Sequence, residues 1–361
     1  MDVKYDLIDK AKRGTLVQGN SLSFGALRTD HMFVADYADG KWQNARIMPY
    51  SPFSIMPGAI VIHYGQSIFE GAKGFQHPDG EIYLYRIDKN IERLNHSARI
   101  LAMPEVPADM HMDGIMRLID IERAWCPTIP ESSMYVRPFM FGTQDSLGVK
   151  PSNSYIFCVV LSPSGPYYAS GFSKPIKLLI STHFHRAVTG GTGSSKCGGN
   201  YAASLLAGEY AHKKGASQVL YLDANNEYIE EAGSMNHFHV LKDGTFIIPE
   251  FNDSILKSIT SLSILELAKM GKLKARQEKI QIDDFIDKVK SGEIIEAGGF
   301  GTAAVVSPVG SYIFEDGSEL VVGDGQIGRY SRQVYEMYSA MQVGKAPAPE
   351  GWLFKVPHFG I

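Results

Sequence analysis

A stretch rich in serine, proline, glycine and tyrosine divides the chain near its middle. Between Ser162 and Pro175 the apolar patterning of the flanks is lost, and the stretch begins Ser-Pro-Ser-Gly-Pro-Tyr-Tyr. Such a composition is typical of a connection between two folded units, and 361 residues are enough for two domains. We therefore expect an N-terminal α/β domain over 1–162, a linker over 163–175 and a larger C-terminal domain over 176–361.

Both halves mix short strands with helices. Apolar runs and alternation predict strands, and apolar residues at helical spacing predict helices. The predicted strands are 81–85, 133–139, 154–161, 176–180 and 218–222. One predicted helix is capped by Asp88 and stopped by Pro104, a second spans 201–213, and a third, over 264–268, ends at Gly271. Because strands are interleaved with few long helices, we expect an α+β fold rather than a doubly wound sheet.

Composition argues against several classes of protein. Thirty-five Lys and Arg against 39 Asp and Glu give a net charge of −4, without a basic tail, so nucleic acid is not expected as a partner. Cys126, Cys158 and Cys197 are widely spaced and form no Cys-x-x-Cys pair, which favours a reducing compartment. The first residues do not resemble a secretion signal, and no apolar run reaches the ~20 residues of a membrane span. We expect a cytoplasmic protein without a membrane partner.

One lysine stands in an unusually glycine-rich segment. Residues 190–201 place Lys196 among five glycines, with Tyr201 five positions after it. Glycine permits backbone angles and close approaches that a side chain would block. We therefore expect Lys196 to be presented to a ligand.

The lysine has two possible partners, a phosphate and a carbonyl. A P-loop needs glycine directly before its lysine and serine or threonine directly after it, but Ser195 and Cys197 hold those positions. The other use of such an amine is a Schiff base with an aldehyde cofactor such as pyridoxal phosphate, or with a substrate carbonyl.

A pyridoxal phosphate site also needs a carboxylate for the ring nitrogen and an anion-binding turn for the phosphate. The candidate carboxylates are Glu227, Glu230 and Glu231, of which Glu231 precedes the small residues 232–234. A solvated acidic turn explains this segment equally well. The helix start at 258–261 and a predicted glycine turn at 298–304 could hold the phosphate.

Two His-Phe-His triplets raise the question of a metal site. Alternate residues of a strand share one face, which would bring His183 next to His185 and His237 next to His239. Acidic residues are scarce around both triplets, so we interpret them as half-exposed strand histidines and expect no metal.

Several segments together resemble the signature stretches of branched-chain amino-acid aminotransferases. The resemblance covers nearly the whole chain, and the segments that carry it are 190–201, 231–236, 135–138, 69–71, 301–304, 29–32 and 146–149. It implies fold type IV, with two domains of which the C-terminal one, 176–361, is the cofactor-binding domain. It also implies pyridoxal 5'-phosphate bound between the two, and a homodimer. It also implies reversible transamination of L-leucine, L-isoleucine and L-valine with 2-oxoglutarate, which yields branched 2-oxo acids and L-glutamate.

The resemblance assigns roles to individual residues. It makes Lys196 the catalytic Schiff-base lysine, Glu231 the partner of the ring nitrogen and Tyr201 the donor to the phenolate oxygen. The implied phosphate ligands are Arg93, Ile259, Thr260 and Thr302. The implied substrate residues are Ser234 and Ala303 at the substrate carboxylate, Phe24, Tyr64, Phe69, Tyr135 and Tyr167 in an aromatic pocket, Arg137 for the second carboxylate of glutamate, and Leu147 and Val149 on a loop that reaches the neighbouring subunit.

The chain also departs from parts of the family. Ala304 and Ser307 stand where some members carry Cys-x-x-Cys, so thiol regulation is not implied. A D-amino-acid aminotransferase or an aminodeoxychorismate lyase would reuse the lysine, the glutamate and the phosphate groups. A phosphate- or nucleotide-binding regulatory protein would use the glycine turns without chemistry. The Tyr135-Val136-Arg137 segment and the length of the match favour the branched-chain enzyme.

Overall fold

The computed structural model describes residues 2–17, 22–166, 171–302 and 304–361. The predicted site residues Tyr167 and Ala303 lie outside them. The chain divides into two compact units. The first unit comprises 1–169, 195–199 and 340–361, and the second comprises 170–194 and 200–339. The domain boundaries expected at 162 and 175 stay a prediction.

The first unit is built on a mainly antiparallel sheet. In the described residues its strands are β1 (Lys4–Tyr5), β2 (His31–Ala38), β3 (Lys41–Pro49), β4 (Ser67–Phe69), β5 (Ala72–Gln76), β6 (Ile82–Tyr85), β7 (Ser133–Gly142), β8 (Tyr155–Ser164) and β18 (Leu353–Lys355). They are ordered β1-β3-β2-β8-β7-β5-β6-β18, and β4 pairs with β7 off this path. The β7–β8 ladder runs from Ser133 opposite Ser164 to Gly142 opposite Tyr155.

Helices α1 (Ile60–Tyr64), α2 (Ile87–Ile100) and α3 (Ala108–Ile121) complete the first unit, with short 3-10 turns at Lys10–Lys12 and Arg123–Trp125. Ile91, Leu94 and Ala98 recur at helical spacing on α2, and all three are buried in the core with residues of the sheet. Asp88 was expected to cap α2, but Arg86 occupies the cap position with a left-handed backbone. Asp88 instead lies in the first turn, where its negative charge interacts favourably with the helix dipole.

The second unit contains a sheet that closes on itself. Its strands are β9 (Ile176–Ser181), β10 (Gln218–Leu222), β11 (Ile229–Ala232), β12 (Met235–Leu241), β13 (Phe246–Pro249), β14 (Ala275–Glu278), β15 (Ile294–Gly301), β16 (Val305–Ile313) and β17 (Glu319–Val321). The order is β11-β10-β9-β16-β15-β12-β13-β14, and β11 also pairs with β12. This extra pairing joins six strands into a ring, which leaves little exposed strand edge at β11 and β12.

The remaining helices are α4 (Gly198–Ala203), α5 (Leu205–Lys213), α6 (Ile259–Lys269), α7 (Ile282–Lys290) and α8 (Arg329–Gln342), with a 3-10 turn at Gly171–Ser173. The single helix predicted over 201–213 is thus two helices that meet at Ser204. The buried carboxylate of Glu296 accepts hydrogen bonds from the N–H groups of Tyr330 and Ser331 at the start of α8. None of the helices in the described residues combines the length and the apolar character that a membrane crossing requires.

The two histidine triplets differ from their predicted setting. His183 and His185 are not strand residues, because β9 ends at Ser181. His237 and His239 do lie on β12, but both are buried rather than half-exposed. Among the described residues, no group of three or more His, Cys, Asp and Glu is arranged to hold a metal ion.

Candidate active site

The backbone of Lys196 is fixed on both sides within the first unit. Its N–H donates to Oγ of Ser97 on α2 at 2.9 Å, and its carbonyl accepts from the N–H of Phe69 on β4 at 3.0 Å. The next residue, Cys197, forms a β-bridge with Ile68 and is buried in the core. Cys197 therefore anchors the lysine segment in the core of the first unit.

The side chain of Lys196 extends over an aromatic ring. Its Nζ lies 4.7 Å from the ring centre of Phe69, a distance at which the quadrupole of the ring attracts a cation. The side chain and the backbone of Lys196 thus both lie against the same residue of β4.

A buried ion pair lies beside the lysine. Glu70 directly follows β4 and is fully buried. Its carboxylate accepts hydrogen bonds from Nε of Arg93 at 2.6 Å and from Nη2 at 2.9 Å. Burial, the largest influence, opposes ionisation, but the charge and hydrogen bonds of Arg93 prevail and hold the pKa of Glu70 below its ordinary value. The charge of Lys196 acts in the same direction.

No role for Glu70 was expected from the sequence, although the segment 69–71 carries part of the family resemblance. The partner that stabilises the buried charge of Glu70 is Arg93, which lies 23 positions later on α2. No local sequence motif therefore connects the two residues. The local signal was a single charged residue in the otherwise uncharged segment 67–72.

The lysine and the arginine belong to one hydrogen-bonded network. Besides accepting from Lys196, Ser97 donates its hydroxyl to the carbonyl of Arg93 at 3.0 Å. The other connection runs from the guanidinium of Arg93 to Glu70 and along the chain to Phe69, which binds the carbonyl of Lys196. The relative placement of Lys196 and Arg93 is thus determined on both sides by protein groups.

A second buried carboxylate lies in the second unit. Glu231 on β11 accepts hydrogen bonds from the N–H of Leu256 at 3.0 Å and from Nδ2 of Asn236 at 3.2 Å. Arg186 lies 3.5 Å from its Oε1. Burial nevertheless raises the pKa of Glu231 to about 7, against these three contacts.

The other two candidate carboxylates have different surroundings. Glu227 is exposed, as a solvated turn would require. Glu230 is buried and accepts from the hydroxyl of Ser254, and burial raises its pKa. Neighbours on a strand point to opposite faces, and Glu230 and Glu231 have different hydrogen-bond donors, but the charge of Arg186 lowers the pKa of both.

Arg186 connects the glycine-rich segment to Glu231 and was not singled out from the sequence. Its Nη2 donates to the carbonyl of Gly193 at 3.0 Å and to the carbonyl of Ser254. A Cβ on Gly193 would lie 2.4 Å from that carbonyl of Ser254. This glycine therefore permits close contact with the protein's own backbone, whereas the sequence suggested room for a ligand.

The phosphate candidates of the second unit lie at the start of α6 and after β15. Ser258 caps α6 by accepting from the N–H of Ser261. Ile259 and Thr260 form the first helical turn, where N–H groups have no acceptor within the helix. Thr302 directly follows β15 and is half-buried.

The glycine run before Thr302 is not the turn that the sequence suggested. Gly298 and Gly299 lie inside β15. A Cβ on Gly298 would lie 2.4 Å from the ring of Phe238, and one on Gly299 would lie 2.9 Å from Met235. These glycines therefore accommodate large side chains of β12.

The aromatic candidates of the first unit form one cluster with Arg137. The ring centres of Phe24 and Tyr135 are 4.9 Å apart, edge to face. Arg137 lies two positions after Tyr135 on β7 and donates to its hydroxyl at 3.1 Å. The guanidinium carbon of Arg137 is 4.8 Å from the ring centre of Phe69. The structure thus brings Phe24, Phe69, Tyr135 and Arg137 together.

Tyr64 belongs to a separate, exposed group. It ends α1, and its hydroxyl donates to the carbonyl of Leu147. Leu147 and Val149 are 71% and 83% exposed, respectively. Tyr64 thus contacts the exposed segment of Leu147 and Val149, whereas Phe24, Phe69 and Tyr135 surround Arg137.

The remaining candidates belong to the second unit. Tyr201 lies on α4 and is half-buried. Ser234 is exposed in the turn between β11 and β12, where Gly233 has a φ of 62°. The roles that the resemblance implies for all these residues stay predictions.

Comparison with known proteins gives the class of the chain. The profile of the family described as amino-transferase class IV matches residues 67–312. The chain belongs to this family. The predicted family and α+β fold are therefore confirmed.

Its relatives narrow the class further. The chain is 43% identical to branched-chain-amino-acid transaminase 1 of Bacillus subtilis (strain 168) over 339 residues, which cover 93% of this chain and 95% of that protein. The crystal structure of the Escherichia coli branched-chain amino acid aminotransferase superposes with a TM-score of 0.75 at 26% identity, covering 91% of this chain and 99% of that one. The T.th. branched-chain amino acid aminotransferase complexed with N-(5'-phosphopyridoxyl)-L-glutamate gives a TM-score of 0.70 at 25% identity, covering 90% and 98%.

Proposed function

We propose that this chain is a pyridoxal 5'-phosphate-dependent branched-chain amino-acid aminotransferase. It transfers the amino group of L-leucine, L-isoleucine or L-valine to 2-oxoglutarate and yields branched 2-oxo acids and L-glutamate. The observation that carries the proposal is the backbone-fixed Lys196 beside the ion pair of Glu70 and Arg93, in a chain that is 43% identical to a branched-chain transaminase over almost its full length.

The donor groups of the described residues fit this cofactor. Lys196 supplies the amine for its aldehyde, and Arg93 a cation for its phosphate. Glu231 supplies a buried carboxylate for its ring nitrogen. Ile259 and Thr260 add N–H groups at a helix start, a favoured place for phosphate, while Thr302 adds a hydroxyl and Tyr201 a phenol for the phenolate oxygen. When bound, pyridoxal phosphate supplies an aldehyde that takes up the amino group and a ring that withdraws electrons from the substrate Cα.

Lys196 has a second task in this proposal, the transfer of a proton. Its amine removes a proton from the substrate Cα and returns one during the reverse half of the cycle, which is general acid–base catalysis. Such transfer requires the amine to stay within hydrogen-bonding distance of the reacting atom. The fixed backbone of Lys196 supports this role, since its N–H and its carbonyl are both held by protein partners.

Glu231 suits a cationic partner. Burial raises its pKa to about 7 even with Arg186 nearby, so its ionised form stays costly without a further compensating charge. A protonated ring nitrogen placed beside the carboxylate would offset that cost and favour ionised Glu231. In return, the carboxylate keeps the ring nitrogen protonated.

The cluster around Arg137 suits two kinds of substrate side chain. Phe24, Phe69 and Tyr135 offer apolar surface, which favours branched aliphatic groups by ~0.8 kcal/mol per buried methylene. Arg137 offers a cation that pairs with the second carboxylate of glutamate. Ser234 and Ala303 are proposed at the substrate carboxylate, and Tyr64 and Tyr167 as further pocket residues.

We also propose that the enzyme is a cytoplasmic homodimer. Leu147 and Val149 are apolar and exposed, as expected of a loop that reaches a neighbouring subunit. Sedimentation equilibrium tests the dimer, and charged substitutions at both positions should weaken it. A monomer with full activity would contradict this part.

The decisive experiment is a visible absorption spectrum of the purified protein, followed by borohydride reduction and a panel of L- and D-amino acids with 2-oxoglutarate. We expect a coloured protein, a reduced adduct on Lys196, and turnover of L-leucine, L-isoleucine and L-valine. Lys196→Ala should lose the visible band and steady-state transamination. A colourless wild-type protein would favour a phosphate-binding regulator, and preferential turnover of D-amino acids a related transaminase.

A further inference from the structure

Glu70 is fully buried, charged, and without a role in the proposed function. An ionised carboxylate is costly to bury unless its partners compensate. Its partners here are the guanidinium of Arg93, the amide of Asn90, and its own following N–H at Gly71. The question is what this arrangement does beyond stabilising the fold.

The contact with Arg93 determines the orientation of the guanidinium. Two parallel hydrogen bonds, from Nε at 2.6 Å and from Nη2 at 2.9 Å, join the planar group to the two carboxylate oxygens. A bidentate pair of this kind fixes direction as well as distance. The side chain of Arg93 is only 10% exposed, so little solvent competes for these bonds.

Glu70 is itself held in place. Nδ2 of Asn90 donates to its Oε2 at 2.7 Å and also to the carbonyl of Gly71 at 3.0 Å. Asn90 and Arg93 are three positions apart on α2 and therefore lie on one face of the helix. Both side chains of this face thus bind the same carboxylate.

The same carboxylate is coupled to the lysine segment. Phe69 precedes Glu70 and donates its N–H to the carbonyl of Lys196, and the charge of Lys196 helps to hold the pKa of Glu70 low. The hydrogen bond to Lys196 is made by the backbone of Phe69 and not by the carboxylate, so replacing the Glu70 side chain changes the partner of Arg93 and leaves this hydrogen bond in place.

We propose that Glu70 is a positioning residue, whose bidentate contact orients the guanidinium of Arg93 to receive the phosphate of the cofactor. The inference rests on the proposed function, since it takes Arg93 as a phosphate ligand. Pre-orientation lowers the entropic cost of binding, because the arginine does not have to be ordered by the ligand. Glu70 thus contributes to phosphate affinity without contacting the phosphate.

The test compares pyridoxal 5'-phosphate with pyridoxal, which lacks the phosphate. Dissociation constants of both are measured by absorbance titration of the apoenzyme forms of wild type, Glu70→Gln and the control Glu92→Gln. Glu92 is an exposed carboxylate on the same helix that pairs with Lys89. We expect Glu70→Gln to lower the affinity for pyridoxal phosphate by roughly 3- to 100-fold. Its affinity for pyridoxal should stay within about twofold of the wild-type value. Glu92→Gln should change neither.

A double-mutant cycle with Arg93→Gln separates positioning from general damage. If Glu70 acts through Arg93, the Glu70→Gln effect disappears in the Arg93→Gln background. Equal weakening of both ligands, unchanged affinity for pyridoxal phosphate, or an undiminished effect without Arg93 would each overturn the inference.

A second variant covers the case in which Glu70→Gln does not fold. Glu70→Asp keeps the charge but shortens the side chain, so it should lose affinity for pyridoxal phosphate alone, to a smaller extent. An equal loss of affinity for both ligands in this variant would refute the positioning role. Failure of wild-type protein to bind pyridoxal phosphate would instead refute the proposed function, so the two failures are distinguishable.

Discussion

The main-chain N–H of Lys196 donates a hydrogen bond of 2.9 Å to the hydroxyl of Ser97. Ser97 is fully buried, and its hydroxyl donates a hydrogen bond to the carbonyl of Arg93 one turn earlier on α2. One small hydroxyl therefore joins the proposed Schiff-base lysine to the proposed phosphate ligand. Alanine could fill this position sterically but could not make either bond.

Ser97→Ala should reduce stability and turnover together. It leaves the part-buried N–H of Lys196 without its acceptor, which costs up to about 3 kcal/mol, and it loosens the placement of Lys196 that proton transfer requires. Urea denaturation measures the first effect, and kcat with L-leucine measures the second. Ser291→Ala is the control, because Ser291 makes an exposed contact with the carbonyl of Lys288. Unchanged kcat in a destabilised Ser97→Ala protein would show that Ser97 serves the fold alone.

Glu231→Gln should lower kcat far more than it lowers cofactor affinity. The amide keeps the shape and can still accept from Leu256, but it cannot hold a proton on the ring nitrogen. Loss of one well-placed electrostatic group in an active site costs roughly 10²- to 10³-fold in rate. Glu230→Gln is the matched control, because Glu230 is an adjacent buried carboxylate that binds Ser254. Equal rates for wild type and Glu231→Gln would contradict the assignment.

Much of the site could be approached from the sequence because its chemistry is locally concentrated. The isolated lysine, the carboxylate before 232–234 and the helix start at 258 are each visible in a short segment. Strand 218–222 was predicted with the bounds of β10, since its apolar run is short and uninterrupted. The family resemblance then supplied Arg93, which no local pattern singles out.

The parts that sequence reasoning missed depend on contacts between distant segments. Glu70 gains its significance from Arg93, and Arg186 from Gly193 and Glu231. The glycine at 193 was assigned to a ligand because the sequence cannot show that Ser254 approaches it. The burial of the β12 histidines likewise depends on the helix that covers them, through contacts with Phe285.

The two histidines of β12 should make the second unit sensitive to acid. Both ring nitrogens of His237 lack a hydrogen-bond partner among the described residues. Burial lowers the pKa of His237 to about 3 from 6.5 and holds that of His239 well below 6.5. Well above pH 6.5 the histidines are neutral in the folded and in the unfolded chain, and titration of these side chains does not reduce the free energy of unfolding. Below it the unfolded chain binds protons that the folded chain cannot, so stability falls as the pH drops towards 3.

The slope is at most about 1.4 kcal/mol per pH unit for each histidine. Urea denaturation at a series of pH values from neutral to mildly acidic measures it. His237→Leu should flatten the curve, whereas His212→Gln, a change at an exposed histidine that contacts Ser217, should leave it as it is. An identical pH dependence in wild type and His237→Leu would rule out this source of acid sensitivity.

Arg137→Met should separate the two substrate classes. The variant keeps an unbranched, apolar side chain against Phe69 and Tyr135 but removes the cation that lies 4.8 and 5.3 Å from their ring centres. A charge-assisted hydrogen bond contributes about 1.5–3 kcal/mol, so KM for 2-oxoglutarate and L-glutamate should rise roughly 10- to 100-fold. The first half-reaction with L-leucine, followed as the change in the visible band, should be nearly unaffected. Arg99→Met, at an exposed arginine paired with Glu105, controls for loss of charge alone, and equal losses with leucine and glutamate would mean that Arg137 supports the pocket rather than the acidic substrate.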